Sequence, residues 1–161
     1  MYNINSKNII LYFKQKGLYL KYLLITLLFL SNIHSAMIGL IEKGRIDKFE
    51  HAYALVTRGD EIIPVSKLGF KVKKNDTIKT FRKSTIQIRL KDSTIIKIGK
   101  RSTLKIEKYL YNSKNSRNNA AGFKISNGTF QIKTGKIADT APKNFKVKTK
   151  FSTIGLRGWL K

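Results

Sequence analysis

The chain has 161 residues, no cysteine and two histidines, and its 33 Lys and Arg against nine Asp and Glu give a formal net charge of +24. The lack of cysteine excludes disulfides, thiolate-bound zinc, iron–sulfur clusters and thiol catalysis. This length predicts one domain.

Residues 1–36 have the order of a secretory signal. Four lysines and no acid come first, the apolar run 22–30 follows, and small residues end at Ala36. Nine helical residues span about 14 Å, less than half of a hydrocarbon core of roughly 30 Å. We therefore predict a signal peptide cleaved after Ser35 or Ala36, with an uncleaved inner-membrane anchor as the alternative. Residues 37–161 then form a periplasmic or secreted domain, which keeps 29 of the 33 basic residues.

From Met37 onward, apolar and polar residues alternate over short runs, and turn residues recur about every ten positions, which is typical of consecutive antiparallel strands. In the clearest run, Ile86, Ile88 and Leu90 fall on one face. The only helical stripe is a short turn at Ile41–Phe49. The predicted strands, in chain order, are Ala52–Thr57, Ile62–Ser66, Phe70–Val72, Ile78–Thr80, Thr85–Leu90, one around Ile96 and Ile98, one around Leu104 and Ile106, Phe123–Ile125, Thr129–Lys133 and Phe145–Phe151.

Strands with one apolar face need a second apolar face to pack against. The sequence therefore predicts an all-β fold of antiparallel strands in a single sandwich-like or solenoid-like domain, with a barrel as a further option, after a cleaved N-terminal signal helix. Much of the positive charge follows from the same alternation. The lysines expected to face water from the strands are Lys124, Lys133, Lys146, Lys148 and Lys150.

Glycine and polar clusters predict the turns. Arg58-Gly59-Asp60 is a tripeptide found in some adhesins, but a hairpin turn that needs glycine is the favoured interpretation. Lys91–Ser93 is a second turn. Asn127-Gly128-Thr129 is formally a glycosylation acceptor, yet Asn-Gly is also a strong hairpin signal, and we predict the hairpin. Tyr111–Asn119 is predicted to be a long exposed and mobile loop that divides the strands into two groups.

The nine acids show no spacing typical of metal ligands or of a catalytic carboxylate pair, so we predict a non-enzymatic protein with no metal and no cofactor. Asp76 and Asp92 lie in predicted turns, where hydrogen bonds to local backbone amides suffice as a role. The two glycines of Thr153–Gly158 lack the strand and helix that surround a phosphate-binding loop.

Six motifs follow one another in the mature region, and the last of them, T-I-G-L-R-G, is the most specific. In this order they resemble the FecR family, periplasmic proteins of Gram-negative bacteria known from the regulation of iron uptake. The resemblance covers about residues 38–158. The motifs are Asn75–Thr80, Lys91–Ile95, Gly99–Ile106, Phe123–Phe130 with Gly135–Ile137, Phe145–Thr149 and Thr153–Gly158.

The chain also departs from the family pattern. Asn75 and Ser93 replace glycines that are usual in the family, and both residue types are tolerated in turns. Lys150 and Trp159 stand where Pro and Thr are common, and the final strand is expected to be truncated. About 21 residues precede the apolar run, too few for the sigma-binding domain of the iron-signalling members.

The resemblance implies a sensory or regulatory module of envelope signalling, linked to iron uptake, that contacts an envelope protein such as the signalling domain of an outer-membrane receptor. The predicted contact residues are Gly155, Leu156, Arg157 and Gly158, because glycine permits close backbone approach and arginine pairs with carboxylates or carbonyls. The alternative function is binding of anionic surfaces, namely lipid or lipopolysaccharide. Nucleic acid would be a partner only of a chain that is not exported.

Overall fold

The computed structural model describes residues 36–150 and, for its last strand, the backbone of residues 153–155. The predicted signal peptide up to Ser35, the predicted truncation of the final strand, and the second half of the T-I-G-L-R-G motif, Leu156–Gly158, lie outside the described residues. Among the residues that are described, no helix is both long enough and apolar enough to cross a bilayer.

Almost all regular structure in the described part of the chain is strand. The elements are β1 (Met37–Arg45), β2 (Ala54–Arg58), β3 (Glu61–Val65), β4 (Phe70–Lys73), β5 (Thr77–Thr80), β6 (Thr85–Leu90), β7 (Ile95–Ile98), β8 (Thr103–Leu110), β9 (Ala120–Asn127), β10 (Phe130–Lys133), helix α1 (Lys136–Thr140), a 3-10 turn (Pro142–Asn144), β11 (Phe145–Lys148) and β12 (Thr153–Gly155).

The strands form two sheets packed face to face. One has five strands in the order β10-β7-β6-β1-β4, and the other has seven in the order β12-β11-β9-β8-β5-β2-β3. Ile88 and Ile96 of the first sheet and Leu104 and Phe123 of the second belong to one fully buried cluster. Two sheets that share one core form a sandwich, so the structure confirms the all-β prediction and selects the sandwich among its options.

Side-chain alternation explains why most strands were predictable. In β6, Ile86, Ile88 and Leu90 are buried while the residues between them are not, which confirms the predicted face and both ends of this strand. The five lysines expected to face water are all exposed. A strand of period two with one apolar face is the simplest pattern to recognise.

The helical turn predicted at Ile41–Phe49 is wrong, because β1 occupies the first half of that segment. Ile41 lies opposite Phe70 of β4 and Ile88 of β6, so β1 is paired on both sides. The register shifts between Ile41 and Lys43, which interrupts the alternation of inward and outward side chains. This irregularity gave the segment an apolar spacing that imitates a helix.

The hairpin predicted at Asn127-Gly128 is also wrong, although a turn is present. Gly128 has φ +101°, the left-handed conformation that glycine favours. The strands on either side belong to different sheets, since β9 pairs with β8 and β11 whereas β10 pairs with β7. Asn127-Gly128 is therefore a corner that carries the chain from one sheet to the other.

One strand pair departs from the predicted antiparallel arrangement. β9 and β11 run parallel, with Phe145 opposite Ala121. Between them the chain crosses to the other sheet as β10 and returns through α1. Parallel neighbours require such a crossover, and α1, with five residues, is too short to show a helical stripe.

The segment Tyr111–Asn119 does not divide the strands into two groups, because β8 and β9 on either side of it pair with each other. It is an exposed hairpin loop closed by a hydrogen-bonded pair: the Asn112 backbone N–H donates to Asn119 Oδ1 at 2.7 Å, and Asn119 Nδ2 donates to the Asn112 carbonyl at 3.2 Å. Asn119 is buried, which anchors the base of the loop.

Candidate partner-binding edge

β12 forms one edge of the seven-stranded sheet. Its partner is β11, with Lys146 opposite Gly155, Val147 opposite Ile154, and Lys148 opposite Thr153. No described residue pairs with the other side of β12. An edge strand offers unpaired backbone N–H and C=O groups, to which a strand of another protein can add.

The predicted contact residues are only partly located by the structure. Gly155 is the last residue of β12 and therefore lies at this edge. Leu156, Arg157 and Gly158 lie outside the described residues, so their role stays a prediction.

A row of lysines crosses the outer face of the sheet beside this edge. Lys148 of β11 lies directly opposite Lys124 of β9, which lies directly opposite Lys105 of β8. All three side chains are exposed. Lys148 Nζ also contacts Glu107 Oε2 at 2.9 Å. Like charges on directly opposed residues destabilise a sheet, so this row favours an approaching surface of negative charge.

A second lysine pair extends the positive surface along the same strands. Lys146 of β11 and Lys108 of β8 both lie opposite Gly122 of β9, and both are exposed. A Cβ at Gly122 would lie 3.3 Å from Lys108 Cβ, so the side chain of Lys108 packs over this position. The outer face near β12 thus carries further positive charge.

An apolar cleft of about 260 Å³ lies between the two sheets next to β11. Phe145 and Val147 form its wall on the seven-stranded sheet, and half-buried Phe130 and Ile132 of β10 form the wall on the other. The Phe145 ring also meets the Phe123 ring edge to face at 5.7 Å between centroids, which anchors it in the core. The cleft therefore leaves apolar side chains of both sheets partly uncovered beside β11.

A buried carboxylate fixes the crossover that leads into β11. Asp92 Oδ1 accepts hydrogen bonds from Tyr109 Oη at 2.9 Å and from the Thr94 backbone N–H at 3.2 Å. Asp92 Oδ2 accepts from Thr94 Oγ1 at 2.7 Å and from the Ile137 backbone N–H at 3.3 Å. Burial and the charge of Asp92 raise the pKa of Tyr109. The Lys91–Ser93 turn and the start of α1 are thereby held together.

A second buried carboxylate joins β2 to the start of β5. Arg58 Nε and Nη2 donate to Asp76 Oδ1 and Oδ2 at 2.9 and 2.8 Å, and the Lys73 backbone N–H donates to Oδ2 at 2.8 Å. The hydrogen bond to Asp76 raises the pKa of Arg58. The guanidinium is thus committed to the fold, which favours the turn interpretation of Arg58-Gly59-Asp60 over adhesion.

Both carboxylates act as structural acceptors, as the sequence suggested, but the expectation of local partners was incomplete. Besides the local backbone amides, Asp92 accepts hydrogen bonds from Tyr109 and Ile137, and Asp76 accepts them from Arg58. These long-range partners leave no signal in the spacing of the sequence. In the described part of the chain, no three His, Asp or Glu side chains are grouped so that they could hold a metal ion.

A family model described as FecR protein matches residues 76–159, more than half of the chain. The match begins at the buried Asp76 and extends through the Asp92 turn and β12. No curated protein and no solved structure is significantly similar to the chain.

Proposed function

Because this chain belongs to the FecR family, we propose that it is an exported, non-enzymatic domain that acts by protein–protein contact in envelope signalling. The family is a regulatory one whose members signal together with envelope partners. In this proposal, residues 1–36 direct export, and the sandwich from residue 37 onward contacts the partner protein.

The observation that carries the proposal is the position of β12 at the sheet edge. The strand belongs to the most specific family motif and has no strand neighbour on its outer side among the described residues. A partner strand that pairs with the outer side of β12 would gain main-chain hydrogen bonds.

Charge narrows the kind of partner. The exposed lysines beside the edge, Lys105, Lys124 and Lys148, favour an acidic surface over a neutral one. The family implies the signalling domain of an outer-membrane receptor, connected to iron uptake, as the class of protein that would supply it.

Fractionation of cells that express the full chain tests this proposal. We expect a periplasmic polypeptide that begins at Ala36 or Met37 when its N-terminus is read by mass spectrometry. After brief chemical cross-linking, this polypeptide should elute from a sizing column together with a second envelope protein. A full-length cytoplasmic chain, or an exported chain that elutes alone, would contradict the proposal.

A further inference from the structure

The loop between β1 and β2 lies at one end of the sandwich and precedes the residues matched by the family model. We define the Phe49 tip as Ile46, Lys48 and Phe49 of this loop together with Lys83 and Lys100 of two neighbouring turns. With Arg45, these residues line a groove of about 430 Å³. The tip brings apolar and positive groups together on one exposed surface.

Phe49 is the apolar centre of the tip. Its side chain is 76% exposed, and Ile46 beside it is 37% exposed. Burying a phenylalanine side chain is favourable by about 1.5 to 3 kcal/mol, so the sandwich forgoes this free energy when it leaves Phe49 in water. An exposed aromatic ring at a loop end is therefore a feature that a binding partner can use.

Positive charge predominates around the ring, although the exposed Glu50 follows Phe49 in the chain. Lys83 Nζ lies 4.9 Å from the centroid of the Phe49 ring, and Lys48 and Lys100 line the same groove. The two acids of the loop are Asp47 and Glu50. Asp47 is buried and accepts hydrogen bonds from the backbone N–H groups of Phe49 and Lys83, so its charge is directed away from the outer surface.

The tip is fixed in shape before it meets a partner. Asp47 Oδ1 and Oδ2 accept from Phe49 N at 3.1 Å and from Lys83 N at 3.0 Å, which joins the loop to the turn after β5. Arg45 Nε donates to the Lys83 carbonyl at 3.2 Å, and the Asp47 N–H donates to the Ala52 carbonyl at 3.0 Å. Binding would therefore cost little loop ordering.

The chemistry of the tip suits a lipid surface better than an acidic peptide. Three of its four cations are lysines, compact charges that contact phosphate without a fixed geometry, and the fourth, Arg45, uses its Nε to donate to the Lys83 carbonyl. Lysine stems can lie along apolar material while their ammonium groups stay at the polar boundary. An aromatic ring among lysines is the combination found at bilayer interfaces.

We propose that the Phe49 tip is a membrane-contact site, in which Phe49 enters the interface of an anionic bilayer and Lys48, Lys83 and Lys100 contact lipid phosphates. The inference goes beyond the proposed function and does not depend on it. A domain held at a membrane by this end would still have its β12 edge available for another protein.

Vesicle binding by the full chain tests the proposal, with phosphatidylcholine alone compared with equal parts of phosphatidylcholine and phosphatidylglycerol. The apolar run 22–30 can enter either bilayer, so the readout is the preference for anionic vesicles. Phe49→Ser should lower this preference about tenfold or more. Ile62→Ser, at a 65% exposed position on β3, is the matched control and should leave it unchanged.

The charge of the tip is tested separately. The triple change Lys48→Gln, Lys83→Gln and Lys100→Gln should weaken binding to anionic vesicles about a hundredfold. Each lysine near the membrane surface raises the affinity by a factor of about five. The control removes the same charge from three exposed lysines outside the tip and should have a much smaller effect. These control positions are Lys91, Lys114 and Lys143.

A Phe49→Trp variant reports insertion directly. With anionic vesicles, its fluorescence should shift to shorter wavelength and should be quenched by brominated lipid. Both changes should exceed those of the parent chain, which has a single tryptophan. Equal effects of the tip and control variants, or no added fluorescence change, would overturn the proposal. So would tip-dependent binding to polyglutamate without binding to vesicles, which would identify an acidic protein as the partner.

Discussion

Removing the hydroxyl of Tyr109 should destabilise the sandwich strongly. Tyr109 Oη donates to Asp92 Oδ1 and accepts from the Asp92 backbone N–H, each at 2.9 Å, and both residues are buried. In Tyr109→Phe the ring still fills its place, but the N–H of Asp92 loses its partner and one carboxylate oxygen loses a charge-assisted hydrogen bond.

The size of the effect follows from these two losses. A hydrogen bond to a charged group contributes about 1.5 to 3 kcal/mol, and a buried donor without a partner costs about 1 to 3 kcal/mol. Because the remaining contacts of Asp92 can adjust, we expect a decrease of about 3 kcal/mol in the free energy of unfolding. For a chain of this size, that corresponds to a fall in Tm of roughly 6 to 12 °C.

Urea and thermal unfolding of the full chain measure this decrease. The matched control is Tyr111→Phe, because Tyr111 is half-buried and its hydroxyl has no hydrogen bond among the described residues. It should change stability by less than about 0.5 kcal/mol. Equal and small effects of the two variants would refute the structural role assigned to the Asp92 cluster.

The same cluster predicts how stability responds to high pH. Burial, followed by the nearby charge of Asp92, raises the pKa of Tyr109 in the folded state above its ordinary value of about 10. The neutral hydroxyl therefore stabilises the fold fully below about pH 10, and this contribution declines above it. Tyr109→Phe should lose less stability than the parent chain between about pH 9 and 11, as measured by urea unfolding at each pH.

Three further variants test particular contacts by urea unfolding. Ser93→Gly should raise stability by about 0.5 to 1 kcal/mol, since Ser93 has φ +72°; a decrease would show that its left-handed backbone is not strained. Gly135→Ala should lower the free energy of unfolding by more than about 3 kcal/mol, because the added Cβ would overlap the Asp92 carbonyl oxygen. The control, Gly122→Ala, should lower it far less, because its added Cβ would lie 3.3 Å from Lys108 Cβ. Arg58→Ala should lower the free energy of unfolding by about 2 kcal/mol, because Asp76 loses its ion-pair partner. This is less than for a fully buried pair, since the Arg58 side chain is 27% exposed. An unchanged free energy of unfolding would show that the ion pair does not stabilise the fold.

The sequence was most informative where one strand had one clean apolar face. Ile86, Ile88 and Leu90 revealed β6 because each of them is buried and the residues between them are not. The two turn positions where glycine is usual were also interpreted correctly, since Asn75 and Ser93 adopt φ +70° and +72°. The first feature depends on local alternation, which a single sequence encodes directly, whereas the second was implied by the resemblance to the family.

Features set by distant contacts were not predictable in this way. The bulge beside Lys43 hides the alternation of β1, whose strand character depends on pairing with β4 and β6. Asn127-Gly128 has the composition of a hairpin, but the pairing of β10 with β7 makes it a corner. The tip escaped notice for a similar reason, because Phe49, Lys83 and Lys100 come from three separate connections.

Site-specific photo-cross-linking in cells tests the proposed contact at the β12 edge most directly. A photoreactive phenylalanine analogue at Lys146, beside β12, is compared with one at Ile62 on β3, the opposite edge of the same sheet. We expect a discrete adduct with one envelope protein from Lys146 and none from Ile62. Equal adducts from both edges, or an adduct from Ile62 alone, would contradict it.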